Sequence, residues 1–295
     1  DNRLVGNTSG PYTYTIPGTT INLYYTIDGS GNATMSGCDE YAVDIEIPSM
    51  INGHKVVCIG GSSFAGRPNL VSVKIPDSVS SIEEDAFFNC SKLMSVNIPD
   101  SVTSIGNGAF DSCTSLISIF LPDSVSNLGK FVFSNCSRLG SIDVSESNPD
   151  YSSINGILFT KNSGILKICP AGLDVGNYSI PESVNTIEDY AFIQCKKLTA
   201  INIPATVKKV GIDAFNGCSG LTTVAIPDSL TAVSNGMFDG CTGLTSVTLP
   251  DSITSITARA FCDCSSLASI TIPASVSFIG GRAFDGCSSL ISIDI

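Results

Sequence analysis

A repeat solenoid is the fold class this chain predicts, on three observations. A block of about 23 residues, I-P-D-S-V-x-x-I-x-x-x-A-F-x-x-C-x-x-L-x-x-V-x, recurs along most of the 295 residues. Its starts are marked by Pro76, Pro99 and Pro122, then by Pro181, Pro204, Pro227, Pro250 and Pro273. Within each run the spacing is 23 without slippage, and that period with L-x-x-L-x-L-like apolar spacing fits a leucine-rich-repeat solenoid. Apolar residues, 43% of the chain, are spread evenly, as stacked coils require when each buries its apolar side only against its neighbours. The expected body is mainly β with short helical or 3₁₀ turns, a parallel sheet on the concave face and a β-rich N-terminal cap.

Each element of one unit has a physical reason. Leu93, Val96 and Ile98 alternate with polar residues, which suits a short strand with one inward face, and stacked units then make a parallel sheet. Pro99 ends that strand because it donates no ladder hydrogen bond, and Asp100 and Ser101 supply turn chemistry. Val102 and Ile105 bury the next side, and Gly106 is expected to permit a tight bend. Ala109, Phe110 and Cys113 fit one inward-pointing helical or 3₁₀ turn, and Leu116 closes the coil. Phe87, Phe110, Phe133, Phe192, Phe215, Phe238, Phe261 and Phe284 recur at one position and are expected to form an internal aromatic spine.

Two segments depart from the repeat. Residues 1–47 lack the unit and show β-favouring stretches at 12–16, 21–27 and 42–47, separated by turns such as Asp28-Gly29-Ser30-Gly31-Asn32. They read as a β-rich cap on a solenoid covering 48–295, because an open solenoid end exposes apolar side chains and strand edges. Between 145 and 180 the period fails. There Asn155 to Thr160 and Gly164 to Cys169 flank Lys161-Asn162-Ser163, which reads as a β-hairpin inside an irregular coil. The last strand, 290–295, would present an open edge, so the chain is expected to continue or to be covered there.

Eight of the twelve cysteines, Cys90, Cys113, Cys136, Cys195, Cys218, Cys241, Cys264 and Cys287, share one repeat position. Stacked equivalents point the same way and do not converge as a bridge requires, so they are expected to be buried free thiols. Cys38, Cys58, Cys169 and Cys262 break the pattern. Cys38 and Cys58 are left open as a pair or as two thiols.

The unit resembles the BspA-like leucine-rich repeats, a family of bacterial and protozoan surface proteins: I-P-D-S-V-T-S-I-G-N-G-A-F-D-S-C, from Ile98, matches that family's usual unit closely. The resemblance covers roughly 48–295. It implies an N-terminal β segment, G-x-L-F hairpins such as that at Gly156 interrupting the repeats, and an extracellular or cell-surface location. With it would come a leader removed before Asp1, since the polar residues 1–10 do not form one.

Little points to chemistry. There is one histidine, His54, with no orienting partner, and no catalytic or phosphate-binding motif is present. Asp77, Asp100, Asp123, Glu182, Asp228 and Asp251 follow the repeat prolines and act as turn formers. Cys262 and Cys264 lack the second ligand pair that zinc requires. No enzyme activity, cofactor or metal is expected. A net charge of −12 opposes nucleic acid, and no stretch approaches the roughly 18 apolar residues of a membrane span.

The expected function is adhesion-type binding of a protein partner, such as a host matrix protein or surface glycoprotein, by a monomer. The alternative is a structural spacer or stalk in a larger surface protein. The outward side of the sheet is the expected recognition surface. Its first column is mostly Ser and Thr, while its second includes Lys74, Asn97, Phe120, Asp143 and Asn202. Phe120 stands out as an aromatic residue at a solvent-facing position, either a contact point or packed against the hairpin. The hairpin loop adds Lys161 and Asn162, since binding residues concentrate on loops that leave a regular scaffold.

Overall fold

Main-chain ladders run from coil to coil in the register of the sequence repeat. The computed structural model describes residues 10–294; the expectations placed on 1–9 and on Ile295 lie outside them. The chain divides into two compact units, 1–138 with 144–150, and 139–143 with 151–295. Each is a β-solenoid, and no helix occurs among the described residues.

The first unit opens with β1 (Tyr12–Thr15), β2 (Asn22–Ile27) and β3 (Ala33–Cys38). These form an antiparallel meander, with β3 continuing the turn segment where the sequence suggested no strand. There follow β4 (Asp44–Glu46), β5 (Met50–Ile51), β6 (His54–Ile59), β7 (Ser72–Lys74), β8 (Ser81–Ile82) and β9 (Ser95–Asn97). The unit also holds β10 (Ser104–Ile105), β11 (Ser118–Leu121) and β12 (Asn127–Leu128). Two parallel columns result. The expected one is β4-β7-β9, with Ser72 opposite Ser95. The second, β3-β6-β8-β10-β12, is built on the corner where only burial of Val102 and Ile105 was foreseen, and the meander feeds directly into it. Both β3 and β4 thus carry parallel pairing ahead of residue 48.

The turn that carries the phenylalanine is not the helical or 3₁₀ turn expected. A 3₁₀ helix would send every N–H to the carbonyl three residues back. Here Phe88 N donates to Asp85 O (2.9 Å) and Cys90 N to Phe87 O (3.2 Å). The alternate N–H groups leave the coil: Asp85 donates to Asn107 O, Phe87 to Ala109 O and Asn89 to Asp111 O, at 2.8–2.9 Å. Positive φ at Asp85 (55°) and Asn89 (56°) makes this alternation possible, turning a would-be helix into a third inter-coil ladder. Gly106, read as a bend, is required for a different reason. A Cβ there would sit 2.5 Å from Glu84 N and 2.6 Å from Glu83 C in the preceding coil, so close backbone approach excludes a side chain.

In the second unit β13 (Ser141–Val144) precedes a further meander, β14 (Tyr151–Ile154), β15 (Ile157–Thr160) and β16 (Ile165–Ile168). The sequence foresaw the second hairpin of this meander but not the first. Asn155 (φ 52°) and Gly156 (φ 80°) are the two-residue turn between β14 and β15 rather than the start of a strand, a pairing that Asn-Gly favours in hairpins. The chain continues through β17 (Asn177–Ser179), β18 (Thr186–Ile187), β19 (Ala200–Asn202), β20 (Lys209–Val210) and β21 (Thr223–Ala225). It ends with β22 (Ala232–Val233), β23 (Ser246–Thr248), β24 (Ser255–Ile256), β25 (Ser269–Thr271), β26 (Phe278–Ile279) and β27 (Ser292–Asp294). The order β14-β15-β16-β18-β20 repeats the plan of the first unit, an antiparallel meander merging into the second column. The interruption of the repeat is therefore built as a second cap.

The core is a set of ladders. Phe64, Phe87, Phe110 and Phe133 stack at 5.2–5.7 Å; Phe192, Phe215, Phe238, Phe261 and Phe284 stack at 5.0–5.6 Å. Phe64 is an additional member that the repeat did not mark. The repeat cysteines are free, and their thiols donate to the phenylalanine carbonyl of the coil before, as in Cys113 Sγ to Phe87 O (3.2 Å) and Cys241 Sγ to Phe215 O (3.2 Å), except Cys195, which donates to Cys169 O (3.4 Å). Burial pushes the Cys136 and Cys241 thiols up to about 12. Cys38 and Cys58 are free as well. Serines of the I-P-D-S turn form a further ladder, with Ser101 Oγ donating to Val79 O and Ser124 Oγ to Val102 O, both at 2.6 Å.

Candidate recognition surface

The outward positions of the strands stand where alternation puts them, and they differ between the units. On β4, β7 and β9, Ile45 and Val73 are buried while Asp44, Glu46 and Lys74 face solvent. Lys74 Nζ is 2.5 Å from Glu46 Oε1. Asn97 serves the ladder: its Oδ1 accepts from Ile75 N (2.8 Å) and its Nδ2 donates to Ile75 O (3.0 Å), so the side chain extends the pairing past the end of β9. Lys74 and Asn97 line one cleft of about 820 Å³, with Ile16, Thr19 and Ile21 of the β1–β2 turn facing the strands. An adjoining cleft of about 580 Å³ shares Ile16, Glu46, Lys74 and Asn97 and reaches Pro48, Pro76 and Asp77.

Phe120 on β11 is 53% exposed. It belongs to the first unit, whereas Asp143, Lys161, Asn162 and Asn202 belong to the second. Asp143 Oδ2 accepts from Ser141 Oγ (2.9 Å). Asn162 is a turn former, its Oδ1 accepting from Thr160 Oγ1 (2.8 Å) and Gly164 N (3.2 Å), and Lys161 precedes it on the exposed hairpin tip. Asn202 ends β19, and its carbonyl accepts from Ile180 N (3.1 Å).

A feature the sequence reading missed lies at the corner just before the first column. Val43, Val71, Met94 and Ile117 follow one another from coil to coil, Val71 N donating to Val43 O, Met94 N to Val71 O and Ile117 N to Met94 O. Val43, Met94 and Ile117 are 46%, 41% and 45% exposed, and Tyr41 beside them is 60% exposed. The Tyr41 hydroxyl donates to Asp39 (3.1 Å). That carboxylate also accepts from Tyr24 Oη (2.6 Å) and Asn22 N (2.7 Å), and these bonds hold it below the ordinary carboxylate range. At the equivalent corner of the second unit stand Thr199, Thr222, Thr245, Ala268 and Ile291: Thr222 Oγ1 donates to Thr199 O (3.1 Å) and Thr245 Oγ1 to Thr222 O (3.0 Å), while Ile291 in the last coil is 91% exposed. The signal was legible in the sequence, since one column reads V-V-M-I in one half and T-T-T-A-I in the other.

In the second unit Asp239, Cys262 and Asp263 bring ligand atoms within 4.8 Å of one another. Asp239 is already held by Arg259 through Nη2 (2.6 Å) and Nε (2.8 Å), and the Cys262 thiol donates to Asp263 (3.6 Å). His54, at the start of β6, has its Nδ1 2.8 Å from the carbonyl oxygen of Gly31 in an exposed turn. No helix of the described residues is long and apolar enough to cross a membrane.

Short parallel strands, a phenylalanine spine and a 23-residue register define a leucine-rich-repeat solenoid, a class that is generally non-enzymatic and typically binds proteins. The chain belongs to the BspA-type leucine-rich repeat family: six copies of that repeat region match residues 57–169 and 169–291. No curated protein matches the chain. Among solved structures it is similar to a leucine-rich cell surface protein of Faecalibacterium prausnitzii, with 25% identity over 97% of this chain and 95% of that one and a TM-score of 0.56. It shares its fold with a leucine-rich repeat protein of Eubacterium ventriosum (23% identity, 96% of each chain, TM-score 0.53). The same holds for the pneumococcal vaccine antigen PcpA (20% identity, 97% of this chain and 82% of that one, TM-score 0.60).

Proposed function

We propose that this chain is a non-enzymatic, extracellular or cell-surface protein that binds a protein partner, in the manner of an adhesin, through the first unit. One observation carries the reading. Where the second unit presents hydroxyls bonded to its own ladder at Thr222 and Thr245, with a single exposed aliphatic, Ile291, in its last coil, the first presents the exposed row Tyr41, Val43, Met94 and Ile117 beside two clefts. Contiguous exposed apolar groups beside a polar rim mark interaction surfaces, and aromatic and aliphatic anchors contribute most of the energy of such contacts. Likeness to a protein described as a cell surface protein supports the location.

The test is binding of the 295-residue chain to arrayed matrix proteins, mucins and glycans, beside Met94→Asp, Ile117→Asp and Phe120→Ser variants and a deletion of 155–168. Saturable binding weakened by the Met94 and Ile117 changes is expected; absence of any saturable signal sinks the adhesin reading. The hydroxyl face of the second unit favours a spacer role for that half, so Thr222→Ala and Thr245→Ala should leave binding unchanged.

A further inference from the structure

We propose that β4 is a docking edge for an extended cationic segment of a partner polypeptide, which adds to β4 as a further strand beyond its unpaired edge. This rests on the protein-binding reading above and names the partner's chemistry. The N-terminal meander closes only one of the two columns of the first unit, because β3 pairs with β6 in the second. The first column ends at β4, with no strand on its far side among the described residues.

Register shows which groups are open. Val71 N and Ser72 N donate to Val43 O, at 2.7 and 3.3 Å, and Ile47 N donates to Lys74 O at 3.0 Å. The main chain of Val43 and Ile47 therefore faces β7, and alternation along an extended strand turns the N–H and C=O groups of Asp44 and Glu46 the other way. The β1–β2 turn bonds to itself, Ile16 N to Ile21 O (2.9 Å) and Thr19 N to Ile16 O (3.1 Å), and so stands as a wall without consuming that edge. Ile16 and Ile21 line a cleft over the solvent face of β4, β7 and β9, the face to which Asp44, Glu46 and Lys74 point. An open edge is the geometry by which extended peptides are captured, main-chain bonds giving affinity and alternate side chains giving choice.

The choice is set by charge. Asp44, Glu46 and Asp77 line the clefts against one cation, Lys74, already bonded to Glu46. Two carboxylates on a three-residue edge repel a second copy of the same acidic strand. A segment with Lys or Arg at alternate positions meets no such barrier, its cations falling on the face of Asp44 and Glu46 and its intervening apolar residues on the face of Ile45.

The probes are fluorescent hexapeptides, acetyl-(Lys-Val)₃-amide, acetyl-(Glu-Val)₃-amide and a (Lys-Val)₃ N-methylated at alternate amides, read by anisotropy against the unaltered chain and Glu46→Pro. Proline at an edge is compatible with a sheet but removes the donor. Saturable binding of the Lys-Val peptide is expected, weakened by about tenfold or more, or roughly 1.4 kcal/mol, for each of the other two peptides and for Glu46→Pro. Equal binding of the N-methylated peptide overturns strand addition in favour of charge alone, and absence of saturable binding overturns the site. The N-methyl comparison needs no variant. Matrix-protein capture that survives Glu46→Pro while the Lys-Val peptide fails would sink the edge proposal and leave the protein-binding reading standing. A silent array with Lys-Val binding would do the reverse.

Discussion

Truncating Phe215 to alanine tests whether the aromatic spine is the main support of the second unit. Phe215 is fully buried and lies between Phe192 at 5.0 Å and Phe238 at 5.5 Å, near-parallel to both. Removing a buried phenylalanine costs about 3–5 kcal/mol from lost transfer energy and residual cavity. The upper half of that range applies here, because aromatic pairs contribute about 0.5–1.5 kcal/mol beyond their area and two are lost. The coil cannot collapse onto the gap, since its main chain is pinned at Phe215 N to Met237 O (3.0 Å) and Phe192 N to Ala214 O (2.7 Å). Phe284 is the internal control: it stacks on one ring, Phe261 at 5.5 Å, and is only partly buried. Its truncation should cost about half as much. Urea unfolding followed by circular dichroism, with hydrogen exchange at β19 to β24 to locate the loss, measures both. A Phe215→Ala cost below about 1.5 kcal/mol, or no greater than that of Phe284→Ala, would refute the spine as a cooperative column.

Asn148→Ala should cost about 1–3 kcal/mol in urea unfolding, because the buried amide donates to Pro122 O (2.7 Å) and Val125 O (3.0 Å) and accepts from Asp150 N (2.9 Å). Gly106→Ala should destabilise by about 1–3 kcal/mol, as overpacked sites do, since its Cβ would press on the main chain of Glu83 and Glu84; an unchanged melting temperature would contradict the close approach. Burial pushes the thiols of Cys58 and Cys90 up to about 11, so at pH 8 these buried thiols should label with a maleimide only as fast as the chain opens. Half-buried Cys287 should label first, and rapid labelling of Cys113 in native protein would be incompatible with its burial. The Asp39 carboxyl, lowered chiefly by the Tyr24 hydroxyl, lies below its unfolded value. Its contribution is therefore complete above about pH 4 and is lost as pH falls through the lower folded value. Exchange protection of β1 to β3 should drop below pH 4, and Asp39→Asn should flatten that drop.

Much of this architecture was legible because a solenoid repeats its reasons. Proline after the strand, serine in the turn and phenylalanine inside recur at fixed positions, and each is enforced by the same neighbour in every coil. The misses have a common cause. The phenylalanine turn looked helical because A-F-x-x-C has helical spacing, but where an N–H goes depends on the next coil, and positive φ at Asp85 and Asn89 becomes worthwhile only when Asn107 and Asp111 are there to accept. The second column escaped notice because a two-residue strand such as Ser104–Ile105 carries no periodicity of its own. Strand β14 was hidden by the polar run Tyr-Ser-Ser-Ile ahead of Asn155-Gly156.

For the candidate surface the division is sharper. Lys74, Asn97 and Phe120 could be named from strand alternation, yet Asn97 turned out to extend the ladder, and the row of Val43, Met94 and Ile117 was passed over because a column matters only once its exposure is known. By itself the sequence determined the period, the inward and outward residues, the N-terminal cap and the absence of catalytic motifs, because these follow from local spacing and residue chemistry. Tertiary structure alone decided that the meander closes one column and leaves β4 as an edge, since pairing is chosen by which backbone arrives alongside.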